Sequence, residues 1–387
     1  MTEGARGQRS LVWTLALLNT VAYGALYYAQ PLLAVTFERT HHWTRTQTSL
    51  AFTLALLVTA FSAPLVGRRL DRRGGRGLLS LGAALGAAAL FTLAWATSVF
   101  TFTLAWLVAG LAMALTFYEA TFTVLGQHVP GAARTQATLT ITLLAGLAST
   151  IFVPLTTALL DGPGLRPTLL LLGSLLGGCA ALLWRHVPPQ VPPGAVHPLV
   201  PFRADGTFRV LTLVFTLTRI VMVGVGLQLV PLLLWAGYPP AVAAGYAGLL
   251  GLSSLPGRAL FVPLLAHLGV RGVSLWVVAL LALGTALLSV SRGPGVTAAA
   301  LIVLGMTNGA LTLVRAELLV RHYRPEVFGT VSGRLARVVN LAQAGTPLAL
   351  GWVFMVSGAS YGPSLVGLTG LAAVAFLALW SGLHQTH

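Results

Sequence analysis

Apolar residues fill this chain in long unbroken runs, and the polar residues gather in short breaks between them. Each run is long enough for a helix to cross a bilayer, which takes about 20 residues. Twelve such spans are predicted, at 11–35, 48–66, 78–97, 100–126, 135–160, 167–186, 208–235, 241–266, 272–291, 295–320, 328–356 and 361–383. Charge, glycine or proline marks the breaks, as at His41 to Arg45, Asp161-Gly162-Pro163-Gly164, Tyr238-Pro239-Pro240 and Arg292-Gly293-Pro294-Gly295. One interruption is longer. From His186 to Asp205, Pro188-Pro189, Pro192-Pro193, Pro198 and Pro201 remove backbone donors and stiffen the chain, which predicts an extended linker. The domain reading is therefore a first six-helix bundle over 1–187, a proline-rich linker over 188–207 and a second bundle over 208–387.

Composition agrees. The chain is 56% hydrophobic and 8% charged, whereas soluble domains carry roughly a quarter charged residues. The fold class is an all-α integral membrane protein. A net charge of +15 would suggest nucleic acid for a soluble protein. Here every basic residue is arginine and most lie between apolar spans, so lipid headgroups are the expected counter-charge and nucleic acid is not an expected partner. The first apolar run is too long for a cleaved signal peptide and reads as a retained helix. Arginines concentrate in alternate loops, which predicts both termini in the cytoplasm. An arginine-only basic complement points to a bacterial inner membrane. Cys179 is the only cysteine. No metal or other cofactor is expected, no catalytic constellation suggests an enzyme, and a monomer is the expected state.

The two halves resemble each other at an offset of about 200 residues. Gly24 corresponds to Gly224, Gln30-Pro31 to Val230-Pro231, Pro64 to Pro263, Glu119 to Glu317 and Arg134 to Arg334. Two parallel repeats predict two pseudo-symmetric six-helix bundles with a binding site at their interface.

The most basic break is Gly67-Arg68-Arg69-Leu70-Asp71-Arg72-Arg73-Gly74-Gly75-Arg76. Its charges exclude it from hydrocarbon, and its glycines suit a tight turn. Gly67, Asp71, Arg72, Gly74 and Arg76 form G-x-x-x-D-R-x-G-x-R, which resembles the signature loop between helices 2 and 3 of the major facilitator superfamily (MFS) of secondary transporters. With the twelve spans, the linker and the repeat, this resemblance covers nearly the whole chain. It implies alternating access to a small-molecule substrate without ATP. It also implies that Asp71 packs at the start of helix 11, where Arg334 would reinforce the positive helix end, so that Asp71 and Arg334 form a gate latch.

Polar residues inside spans are costly and so carry the functional reading. In helix 1, Asn19, Tyr23, Tyr27 and Gln30 share a face, and either line a cavity or bond to neighbouring helices. Arg219 in helix 7 lies too deep to snorkel and needs a polar cavity or a carboxylate. Ser253-Ser254-Leu255-Pro256-Gly257-Arg258 resembles the helix 8 arginine segment of the monocarboxylate and oxalate porter branch, whose guanidinium suits an organic anion. Asn308, Thr312 and Arg315 share a face of helix 10, and Arg337 and Asn340 extend the polar lining into helix 11. Glu317 with Arg321 reads as a local pair. Glu119 is the candidate for proton coupling, or else it clasps Arg134 or Arg72 in an inner gate. The expected cargo is a small, monocarboxylate-like organic anion, with protons as the coupling ion. The alternative is a proton-driven exporter of drugs or other hydrophobic compounds. Against that alternative, the helix 4 arginine of many such exporters is absent near Trp106.

Overall fold

The computed structural model describes residues 3–129, 131–189, 204–291, 293–324, 327–358 and 360–384. Most of the linker expected at 188–207 lies outside them, as do Arg203 and Arg292. The first unit of the chain comprises Met1–Phe202 with Tyr323–Asn340, and the second Arg203–His322 with Leu341–His387.

The first unit begins with α1 (Glu3–Ala22), a π-helical turn (Tyr23–Tyr28) and α2 (Gln30–His41), which together form the first span. It continues with α3 (Arg45–Arg73), α4 (Arg76–Ala94), α5 (Val99–Thr116), α6 (Tyr118–His128), α7 (Gly131–Gly146), α8 (Ala148–Asp161) and α9 (Leu165–His186). The second unit holds α10 (Gly206–Trp235), α11 (Pro240–Leu252), α12 (Ser254–Ala259), α13 (Phe261–Ser289), α14 (Pro294–His322) and α16 (Gly362–His384). Helix α15 (Phe328–Val356) contributes its first residues to the first unit and the remainder to the second. Local chemistry starts several helices. Thr44 and Gln47 form a reciprocal capping box at α3, and Asp205 accepts the Phe208 N–H at 2.7 Å at α10.

Eleven helices among the described residues are long and apolar enough to cross a membrane. The span expected at 241–266 is divided. Turns at Ser253 and Leu260 interrupt it, each three residues before a proline, Pro256 and Pro263. A proline has no N–H to return to the preceding turn, so the carbonyls of Leu252 and Ala259 lose their helical partners. Both turn residues keep right-handed backbone angles, so the rod continues through them. It ends at Gly269, whose φ of 65° is outside any helix. Counted as one interrupted rod, it supplies the twelfth crossing.

The internal repeat is visible in packing within each unit. A side chain on Gly110 would overlap the carbonyl of Ala55, and one on Gly305 would overlap the carbonyl of Leu250. Both members of the second pair lie 195 residues after those of the first. A backbone-to-backbone approach of this kind replaces the hydrophobic drive that helices lack inside lipid.

Helices α4 and α9 are tied at both ends. Arg76 lies 4.5 Å over the ring of Trp184, and Arg166 lies 4.4 Å over the ring of Trp95. Both tryptophans are more than half exposed, at 58% and 54%. They sit where a membrane protein places its interfacial aromatics.

Candidate functional site

The signature stretch, expected as a tight turn over Gly67 to Arg76, is helical through Arg73, so only Gly74 and Gly75 form the turn before α4. Backbone contacts build it into the first unit. Helix α3 presents Ala63 and Gly67 four residues apart, and α15 presents Gly329 and Gly333 in the same spacing. A Cβ on Gly67 would overlap the Gly329 carbonyl, and one on Gly333 would overlap that of Ala63. The two backbones therefore touch, and Asp71 is carried to the start of α15. Its Oδ1 accepts the Gly329 N–H at 2.9 Å. Its Oδ2 accepts the Thr330 N–H at 2.7 Å and the Thr330 hydroxyl at 2.8 Å. These amides are among the donors that a helix start leaves without an internal partner, and the helix dipole favours a carboxylate there.

The surrounding residues close around this contact. Gly74 ends α3 with φ 74°, and its N–H bonds the Leu70 carbonyl, which also accepts Gln127 Nε2 at 3.0 Å. Arg134 is buried, with its guanidinium against Gly126 and 4.8 Å over the ring of Phe328. Gly67, Asp71 and Arg134 thus converge on Phe328, Gly329 and Thr330. Arg76 is half-buried on Trp184, Arg334 is half-buried and Arg72 is exposed. Glu317 belongs to α14 in the second unit.

Deeper in the first unit, two spans lose regular α-helical form side by side. The first winds into a π-helical turn at Tyr23–Tyr28. The fourth breaks at Phe117, whose extended backbone (φ −76°, ψ −179°) separates α5 from α6. Tyr23 stacks on Phe117 at 3.9 Å with the rings 13° apart, and lies 4.9 Å from Tyr118. Asn19 is fully buried, and its Nδ2 donates to Thr121 Oγ1 at 2.7 Å and to the Leu15 carbonyl at 2.9 Å. Gln30 is buried, Tyr27 is half-buried beside Phe52, and Glu119 is half-buried in the first turn of α6. Broken helices at membrane depth are a recurring feature of transporter sites, because unwound backbone is tolerated only against protein or a water-filled cavity.

In the second unit, Arg219 Nε donates to Gln343 Oε1 at 2.8 Å. Arg258 is buried on α12, between the two proline-linked turns. Beside it, a Cβ on Gly257 would overlap the Met306 carbonyl, which locks α12 against α14. Asn308, Thr312 and Arg315 are half-buried on α14. On α15, Arg337 is exposed and Asn340 half-buried, and both fall in the part grouped with the first unit.

Phe117, Gly329, Thr330 and the π-helical turn are not among the features expected from the sequence. The small-residue spacing of Gly329 and Gly333 was a usable signal for the α3–α15 contact. Nothing in the local sequence marks Phe117 as a break.

The Major Facilitator Superfamily model matches residues 15–347. The chain belongs to the major facilitator superfamily. It is a multi-pass membrane protein with the MFS fold, a secondary transporter whose substrates are small molecules. Solved MFS structures superpose over nearly its full length. The human organic anion transporter MFSD10 (TETRAN) is 18% identical with a TM-score of 0.81, covering 98% of this chain and all of that one. A bacterial homologue of the iron transporter ferroportin, in an outward-facing state with soaked iron, is 15% identical with a TM-score of 0.80, covering 97% and 98%. The proton:xylose symporter XylE, bound to 6-bromo-6-deoxy-D-glucose, is 15% identical with a TM-score of 0.73, covering 98% and 96%. At these identities the likeness concerns the fold. Among curated proteins there is no match.

Proposed function

We propose that this MFS transporter moves a small, monocarboxylate-like organic anion by alternating access, with proton movement coupled through Glu119. The observation that carries this reading is the set of arginines within the spans of the second unit. Arg219 is oriented by Gln343 and Arg258 is buried at a helix interruption. A guanidinium stays charged at any physiological pH, so each is a permanent cation in a region that penalises charge. A carboxylate cargo matches a guanidinium in charge and in its paired acceptor geometry. The solved relatives carry cargoes as different as an organic anion, iron and a sugar. The fold therefore does not choose the cargo, and the arginines do.

The proposed setting is a bacterial inner membrane with both termini and the arginine-rich turn in the cytoplasm. The contacts of Asp71 with the start of α15 then form a latch that holds the cytoplasmic gate shut and releases when it opens. Arg134, stacked on Phe328, supports the same latch. The two six-helix bundles at 1–187 and 208–387, joined by the proline-rich linker, are the moving bodies of this proposal.

Uptake into proteoliposomes of a panel of monocarboxylates, with and without an imposed pH gradient, tests the reading. Saturable uptake that Arg258→Ala abolishes and Arg258→Lys reduces supports it. Unchanged uptake in both variants removes the anion clamp, and binding of lipophilic cations in place of carboxylates would favour drug export.

A further inference from the structure

The tyrosines of this chain are not evenly spread. Four of the eight, Tyr23, Tyr27, Tyr28 and Tyr118, gather at the paired helix discontinuities of the first unit. Their rings form one connected group. Tyr23 lies 6.3 Å from Tyr27 and 6.5 Å from Tyr28, in addition to its contacts with Phe117 and Tyr118. Tyr27 meets Tyr28 edge-on at 5.4 Å. All four tyrosines are half-buried, whereas Phe117 beneath them is 8% exposed. The cluster therefore has a packed floor and an accessible rim.

Two further observations point to a ligand. A π-helical turn replaces the regular α-helical hydrogen bonds with i→i+5 ones, such as that from the Ala29 N–H to the Gly24 carbonyl, and such turns are frequent at functional sites. This one contains three of the four tyrosines. One turn before Tyr23, the Oδ1 of fully buried Asn19 has no hydrogen-bond partner among the described residues, although its Nδ2 is bonded twice. A buried acceptor left unmatched in this way is uncommon and calls for an explanation such as an incoming donor or water.

We infer that this tyrosine cluster is a subsite for the planar, unsaturated part of the substrate, so that the transporter prefers aromatic over saturated cargo of equal charge and size. The inference rests on the transport reading and extends it to cargo shape. A tyrosine ring offers a π face and a partly positive edge, and a flat ring can meet either in stacked or edge-on geometry. A saturated ring of the same size gains only apolar burial. Tyrosines also order little on binding, because each has few rotatable bonds.

Binding to the purified full-length protein, measured by calorimetry with matched pairs of small molecules, tests this. The pairs are benzoate with cyclohexanecarboxylate, benzylamine with cyclohexylmethylamine, and benzyl alcohol with cyclohexylmethanol. The expected result is that the aromatic member binds roughly three- to ten-fold more tightly. Tyr23→Leu and Tyr27→Leu should bring that ratio close to one, and Tyr23→Phe should preserve it. If the carboxylates do not bind and the preference appears in the amine or alcohol pair, the subsite stands and the anion reading fails. If the carboxylates bind and no pair shows an aromatic preference, the anion reading stands and the subsite is overturned. The subsite is equally overturned if no pair shows a preference, or if both leucine variants retain the wild-type ratio.

Discussion

Thr330 holds Asp71 twice, through its backbone N–H and its hydroxyl, both on the same carboxylate oxygen. The other oxygen is occupied by Gly329. One acidic side chain on α3 therefore serves as the missing acceptor for the start of α15. Removing it leaves the donors of that helix start unpaired, and hydrogen bonds to a charged group contribute roughly 1.5–3 kcal/mol each. Asp71→Ala is expected to reduce transport at least about ten-fold and to raise the reactivity of a cysteine placed at Ser332, measured in a Cys179→Ser background. Thr330→Val removes only the hydroxyl bond to the carboxylate and should cost about 1.5–3 kcal/mol, seen as a milder change than Asp71→Ala in the same labelling assay.

The closeness of α3 and α15 gives a sharper steric test. Gly67→Ala places a methyl group into the carbonyl of Gly329, whereas Gly77, on the neighbouring helix α4, has open space around it. Transport should be lost in Gly67→Ala while expression in the membrane persists. Gly77→Ala should behave as wild type. Equal activity in the two variants would mean that the helices can separate there at no cost.

Gln343 fixes the approach of Arg219 by accepting from Nε, which leaves the rest of the guanidinium for other acceptors. Gln343→Leu should raise the KM for an anionic substrate several-fold with little change in maximal rate. Arg219→Ala should abolish saturable uptake. The pattern expected of a purely structural arginine is different: a lower unfolding temperature with KM unchanged.

Pro256 keeps α11 and α12 apart by withholding one N–H. Pro256→Ala supplies that donor to the Leu252 carbonyl. The expected outcome is a higher unfolding temperature in detergent together with slower transport, because Arg258 is displaced from its place in the interrupted rod. Thermal unfolding and uptake measured on the same preparation would show whether the two move in opposite directions.

Much of this was legible in the pattern of apolar residues, and the reasons are physical. A span that must hide its backbone from lipid has to be a long apolar helix, so eleven crossings stand out in the sequence. So does the basic stretch Gly67 to Arg76, although α3 runs through it to Arg73 and only Gly74-Gly75 turn. The eighth crossing was also legible, but its turns at Ser253 and Leu260 depend on carbonyls left without partners by Pro256 and Pro263, and a proline in an apolar run does not by itself fix where a helix is interrupted. The aspartate at position 71 was tied to the start of helix 11 by resemblance. Its partners, Gly329 and Thr330, are backbone amides and a hydroxyl, which carry no distinctive residue signature. The break at Phe117 is the extreme case, because a phenylalanine in an apolar run gives no hint of extended backbone. What accompanies the break is tertiary: Tyr23 stacks on Phe117, and Asn19 bonds Thr121 one turn further on.

The guanidinium-on-indole contacts at the two ends of α4 and α9 bear on how the protein meets its bilayer. Neither helix of this strapped pair can slide lengthwise past the other without breaking a contact at one rim. A thinner or thicker membrane must then be accommodated by leaning the pair as a single plank, or by deforming the lipid around it. Transport rates measured across acyl chains of increasing length would register that stiffness directly.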